Sequence, residues 1–97
     1  MALPLVESSN HPFTRESAQA RLADYFGNNP HTGQVTRTSY KGHFCDSHSL
    51  EFYAFEVFVT DNPVTGWFGA EVTPEQIVVT PNRYLYQTAL SGFTKLD

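Results

Sequence analysis

This 97-residue sequence contains little cysteine, little charge and no long hydrophobic run. Its single cysteine, Cys45, excludes an intramolecular disulfide and is typical of a protein from a reducing compartment. The N-terminal stretch MALPLVESSN has no basic segment and only a short apolar start, so it predicts neither a secretion signal nor a membrane span. We therefore expect a soluble cytoplasmic protein.

Charged residues are few, and acidic residues outnumber basic ones. Charged residues make up 16% of the chain, against about 25% in an average globular domain. The net charge is −4 and the six basic residues are scattered along the sequence, so no basic stripe is available to attract nucleic acid. A surface this poor in charge favours a patch that a partner covers. We expect a second copy of the chain or another protein as partner, with no nucleic acid and no membrane.

The length predicts one domain over residues 1–97, with a core built largely from the aromatic side chains that make up 14% of the sequence. Residues 1–12 have no periodicity and predict an extended arm, whose Leu3, Leu5 and Val6 dock on the domain or on a neighbouring subunit. A frayed terminus is the alternative.

A helix is predicted directly after the arm. Thr14 is a suitable N-cap, Glu16 lies in the first turn near the positive end of the helix dipole, and Gly27 is a C-terminal stop. The apolar residues of this segment recur at helical spacing and form one stripe: Ala18, Leu22, Tyr25 and Phe26.

The rest of the chain predicts mainly strands. Residues 34–41 alternate without a strongly apolar side, which indicates an edge strand guarded by charges, and residues 42–49 read as a loop. Residues 77–79 form a short apolar strand, and residues 83–90 fit a helix, with a strand as the alternative. The predicted fold class is α+β: a three- to four-stranded antiparallel sheet with the N-terminal helix on one face and a short C-terminal helix or edge strand.

The segment 50–72 is the densest in β-branched and aromatic residues and predicts a central hairpin. If the loop is 61–66 and Thr60 lies opposite Trp67, the register is defined. One face is then uniformly apolar and should receive the N-terminal helix: Tyr53, Phe55, Val57, Val59, Phe68, Ala70 and Val72.

The second face of the hairpin is neither a plain core nor a plain surface. It carries Leu50, Phe52, Ala54, Glu56, Phe58, Trp67, Gly69 and Glu71. In the assumed register Glu56 lies directly opposite Glu71, so mutual repulsion and burial among rings should raise the carboxylate pKa. A two-sided sheet with one core face should be polar on its other face. We therefore expect a cover: the C-terminal segment, another subunit or a ligand.

Other motifs carry weaker signals. The stretch His43-x-Cys45-Asp46-x-His48 places potential zinc ligands and a potential nucleophile–base pair in one loop, but it lacks the paired cysteines of structural zinc sites. The glycines are too far apart for a phosphate loop. We expect no metal and no cofactor.

The leading functional hypothesis is a small non-enzymatic binding protein that forms homo-oligomers through the aromatic second face of the hairpin. Its predicted binding residues are Glu56, Glu71, Phe52, Phe58 and Trp67. The first alternative is a small-molecule-binding domain or small enzyme that uses Glu56 and Glu71 in an aromatic-lined pocket. The second is an acidic inhibitor of another protein.

Overall fold

The fold is a five-stranded antiparallel sheet with one helix on each face, seen in a computed structural model that describes residues 13–97. The elements are α1 (Arg15–Gly27), a 3-10 turn (Pro30–Thr32), β1 (Gln34–Cys45), β2 (Glu51–Thr60), β3 (Trp67–Val72), β4 (Ile77–Thr80), α2 (Arg83–Ser91) and β5 (Thr94–Lys95). The strand order is β4-β3-β2-β1-β5. This confirms the α+β class, with five strands rather than three or four. The arm predicted for residues 1–12 lies outside the described residues.

Helix α1 begins as the sequence predicts. The Thr14 hydroxyl accepts a hydrogen bond from the Ser17 backbone N–H at 3.1 Å, and the Ser17 hydroxyl accepts one from the Thr14 N–H at 2.9 Å. This reciprocal cap satisfies two N–H groups that have no partner inside the helix. The helix then buries one stripe of three residues: Ala18, Leu22 and Phe26.

The first core lies between α1 and the predicted apolar face of the hairpin. It consists of Ala18, Leu22, Phe26, Phe55, Val57, Val59, Phe68, Ala70 and Val72. Tyr53 packs at its margin, and Phe55 and Val57 are completely buried. Burying side chains of this size contributes about 1.5–3 kcal/mol each relative to exposure. The prediction of which hairpin residues face the first helix is confirmed.

The hairpin register differs from the prediction by two residues. Trp67 pairs with Phe58 rather than with Thr60. The turn is longer because the Val59 N–H already donates to the Gly66 carbonyl at 3.0 Å. The Asn62 side chain shapes this turn: its carbonyl oxygen accepts from the N–H of Val64, and its amide donates to the Thr32 carbonyl in the 3-10 turn before β1. A shift of two residues keeps every side chain on its predicted face.

Strand β1 is longer than predicted, since it continues through residues 42–45 that read as loop. Its register against β2 shifts at two places, which makes Thr36 and Lys41 β-bulge residues. Each bulge interrupts the two-residue alternation, which is why the sequence pattern did not reveal the full strand. β5 pairs with the last part of β1, at Phe44 and Cys45. Between Gln34 and Ser39 the outer edge has no strand partner in the described chain.

The C-terminal segment 83–90 is helical, so the strand alternative was wrong. The helix is capped by Asn82, whose side-chain oxygen accepts from the Leu85 N–H at 3.0 Å. Tyr86 is the buried residue of α2. Neither of the helices found in residues 13–97 is long and apolar enough to cross a membrane.

Tyr86 attaches α2 to the sheet. Its ring lies so close to Gly69 that a Cβ added at that glycine would be 2.4 Å from ring carbons. Its hydroxyl contacts two backbone carbonyl oxygens, Phe55 O at 2.9 Å and Ala70 O at 2.8 Å. Burial, followed by the negative charge of Glu71, raises the pKa of Tyr86, so the hydroxyl keeps its proton and remains a donor. Position 69 therefore requires glycine, because a larger side chain would clash with the Tyr86 ring.

We expect Gly69→Ala to lower the free energy of unfolding by about 1–3 kcal/mol, because the added methyl group overpacks the Tyr86 contact. Denaturant unfolding followed by Trp67 fluorescence measures this, since the indole packs edge-on against the Tyr86 ring at 5.5 Å. Gly27→Ala is the matched control, because a Cβ at Gly27 meets nothing within 4 Å. Equal effects of the two substitutions would contradict the steric explanation.

Candidate functional site

The chain's own C-terminal segment covers the second face of the hairpin. Tyr86 of α2 forms a second core with Phe44, Phe52, Ala54 and Trp67, and Leu90 and Phe93 pack against it. Phe93 packs edge-on against the Phe52 ring at 5.4 Å. Phe52 and Trp67 are buried, whereas Phe58 remains partly exposed. Of the three covers left open by the sequence, the structure contains the first.

Glu56 and Glu71 share this face but are not opposed. Glu56 pairs with Gly69 and Glu71 pairs with Ala54, so the predicted opposition of the two carboxylates was wrong. The cause is the two-residue difference in register. The structure still brings Glu56, Phe52, Phe58 and Trp67 to the α2 side of the sheet, with Glu71 beside them.

Glu56 is a buried carboxylate, only 4% exposed. It lies 3.8 Å from the Lys41 amine and 3.8 Å from the Arg83 guanidinium, and the Gln87 amide donates to it at 3.5 Å. A buried charge is costly unless it is paired, so these three side chains compensate for the loss of water. Two of the three belong to α2, so the helix supplies polar as well as apolar contacts.

Glu71 is half-buried, and its pKa is raised by burial first and then by the negative charge of Asp46. The folded protein therefore holds the Glu71 proton more tightly than the unfolded chain does. The ionised side chain lowers stability at neutral pH, and this penalty disappears as the pH falls below the ordinary carboxyl value of 4.5.

We expect Glu71→Gln to raise the free energy of unfolding at pH 7, by no more than about 1 kcal/mol because solvent screens a half-exposed group. The gain should shrink toward zero between pH 7 and pH 4, as the wild-type carboxyl takes up its proton. Urea titrations across this range measure the difference, with Glu75→Gln as an exposed control. A loss of stability at pH 7 would contradict the assignment.

A cleft of about 570 Å³ lies on the opposite face of the sheet, between the C-terminal half of α1 and the first half of β1. Its walls are formed by Gln19, Leu22, Ala23, Phe26, Gly27, Pro30, Gly33, Gln34, Val35, Thr38 and Asp61. Sequence reasoning missed it, because it depends on how far α1 lies from the edge strand. The sequence feature that could have indicated the cleft is that neither side of the strand predicted at 34–41 is strongly apolar.

The chain turns at Gly33, which lines the cleft and directly precedes β1. Its φ of 107° lies in a region that side chains other than glycine rarely adopt, and a Cβ there would be 2.6 Å from the Thr60 carbonyl oxygen. This turn places Val35 and Thr38 on the α1 side, since they lie opposite Val59 and in register with Val57. The cleft is therefore lined by both apolar and polar side chains, and its buried ones, Leu22 and Phe26, are apolar.

The fold also gathers basic residues that are scattered in the sequence. Arg37 pairs with Phe58, and Lys95 pairs with Phe44, so both lie on the α2 side of the sheet. Lys41 and Arg83 join them at Glu56. The Arg37 guanidinium lies over the Phe58 ring at 4.2 Å. Four of the six basic residues therefore occupy this side, although the whole chain is acidic.

The residues considered as metal ligands, of which His43 and Cys45 lie in β1, contact separate partners. The His43 ring stacks on Tyr53 at 4.3 Å, and its Nε2 lies 3.0 Å from a Glu51 carboxylate oxygen. Cys45 is a free thiol, and an Asp46 carboxylate oxygen accepts the His48 N–H at 2.8 Å. In the part of the chain that the structure describes, no group of three or more His, Cys, Asp or Glu could hold a metal ion.

No family model matches the chain, and neither a curated protein nor a solved structure is significantly similar to it. Function has therefore to be inferred from the geometry of this chain alone.

Proposed function

We propose that this protein is a small non-enzymatic binding protein whose ligand site is the cleft between α1 and β1. The observation that carries the proposal is the cleft itself: about 570 Å³, with Leu22, Phe26 and Val35 in its walls. Ligand pockets in proteins are commonly 300–1,000 Å³, largely apolar and equipped with a few polar groups. An apolar group of the ligand would bind in the cleft and its polar end would face the rim.

The chemistry of the lining supports binding rather than catalysis. Among the residues that form the cleft, Asp61 is the one with an ionisable side chain. Nucleophilic sites commonly combine a nucleophile, a general base and a group that orients the base, whereas this lining offers a single carboxylate. Gln19, Gln34 and Thr38 instead offer neutral hydrogen-bonding groups, which orient a ligand without reacting with it.

The cleft replaces the second face of the hairpin as the contact surface we propose. Self-association through the buried Phe52 and Trp67 would have to displace α2, and would break the Tyr86 hydrogen bonds and the contacts of Arg83 and Gln87 with Glu56. The α1 side requires no such rearrangement. We propose the cytoplasm as the setting, because Cys45 is an unpaired thiol.

The test is to fill the cleft without disturbing the core. Ala23 is exposed and lines the cleft, so Ala23→Trp should lower the affinity for the neutral fluorescent probe N-phenyl-1-naphthylamine at least about tenfold, equivalent to 1.4 kcal/mol. Ala20→Trp is the matched control, because Ala20 is exposed on the same helix and is not a cleft residue. Fluorescence titration measures both. An absence of probe binding to the unmutated protein, or equal effects of both variants, would overturn the proposal.

A further inference from the structure

The outer edge of β1 already accepts a strand at one end. β5 pairs antiparallel with Phe44 and Cys45, and the Leu96 N–H then donates to the His43 carbonyl at 2.7 Å. From Gln34 to Ser39 the same edge continues with no strand beside it in residues 13–97. An edge strand presents N–H and C=O groups on its outer side that another extended chain can pair with.

A carboxylate is already bound at this edge. One Asp97 oxygen accepts the His43 N–H at 3.0 Å, and the other accepts the Tyr40 hydroxyl. The Tyr40 hydrogen bond, followed by that of His43, holds the pKa of Asp97 below its usual value. Burial and the hydrogen bond to Asp97 raise the pKa of Tyr40 to about 12, so its hydroxyl remains a donor. These contacts show that groups along the outer side of β1 can hold a carboxylate next to an added strand.

A strand added beside residues 34–39 would have two different faces. On the α1 side its side chains would lie next to Val35 and Thr38, which form part of the cleft. On the α2 side they would lie next to Arg37 and near Lys41. Because side chains alternate between the two faces of a sheet, the added strand should alternate apolar and acidic residues.

We propose that the free edge of β1 binds an extended peptide segment of alternating apolar and acidic residues, which joins the sheet as a sixth strand. This inference rests on the proposed function, since the apolar side chains of the peptide are the groups that enter the cleft. Backbone hydrogen bonds supply affinity in this mode of recognition, and the alternate side chains supply specificity. The bound segment belongs to a partner protein with such a stretch.

The charges at the edge discriminate against a second copy of this chain. Two β1 edges pairing with each other would bring Arg37 and Lys41 of both molecules onto the same side of the joined sheet. Like charges placed opposite one another are destabilising, and charges on an edge strand are a common device against self-addition. An acidic segment meets the same residues as attractive partners, so one feature excludes the copy and selects the ligand.

The test uses the blocked peptide acetyl-(Leu-Glu)4-amide and isothermal titration calorimetry on the full chain. We expect binding that weakens with added salt, as it should for exposed charges. Acetyl-(Leu-Lys)4-amide, with the opposite charge, should bind at least tenfold more weakly. A (Leu-Glu)4 peptide N-methylated at alternate residues along its hydrogen-bonding edge should not bind, because it lacks the donors that pair with β1.

Substitutions test whether the (Leu-Glu)4 peptide binds at the edge of β1. Arg37 is exposed and its guanidinium lies over the Phe58 ring, so Arg37→Glu should preserve folding and weaken the (Leu-Glu)4 peptide at least fivefold. Thr88→Glu adds negative charge to the outer surface of α2 and should leave the affinity within twofold. Ala23→Trp should weaken the peptide as it weakens N-phenyl-1-naphthylamine. Circular dichroism checks that each variant is folded.

The outcomes separate the two proposals. If the probe binds the cleft and the (Leu-Glu)4 peptide does not, the strand-addition proposal fails and the binding function remains. If the probe does not bind, both fail. Equal binding of the glutamate and lysine peptides would overturn the charge selection, and tighter binding of single-stranded dT12, sensitive to Arg37→Glu, would replace the peptide with a nucleic acid.

Discussion

The second face of the sheet depends on the contact between Tyr86 and Gly69. A side chain at position 69 would hold α2 away from β3; its absence lets the tyrosine ring approach the backbone and its hydroxyl reach the carbonyls of Phe55 and Ala70. Once α2 is seated there, its Arg83 and Gln87 reach Glu56. One close approach therefore positions both the apolar and the charged parts of this layer.

The two faces of the sheet consequently differ in how completely they are covered. The α2 side is closed over β2 and β3 and is basic toward β1. The α1 side is closed over the central strands but leaves a cleft at the edge strand, where the turn at Gly33 brings the chain back. β1 connects the two sides, since its inner residues line the cleft and Arg37 and Lys41 lie on the opposite surface. A ligand at this edge would contact both.

The sequence predicted the features that depend on local pattern. These features are the Thr14 cap, the α1 stripe and the division of hairpin residues between two faces. The division was predicted correctly because a register shift of two residues keeps each side chain on the same face. The register itself was not, since the Asn62 side chain defines the turn through hydrogen bonds that have no periodic signature. The bulge at Lys41 concealed the last part of β1, residues 42–45. The cleft and the sharing of one sheet face by four basic residues arise from the arrangement of elements in space, which the order of residues along the chain does not reveal.

Helix α2 is attached through few buried side chains, and this has a consequence for how the protein fluctuates. Tyr86 is the buried residue of the helix, while Tyr84 and Leu85 are 75% and 59% exposed. We expect an element with so little buried surface to detach as a unit while the α1 core stays intact, which is a sub-global opening rather than complete unfolding. Detachment would admit water to Glu56 and Trp67 together. The burial of the Glu56 carboxylate therefore depends on whether α2 is attached to the sheet.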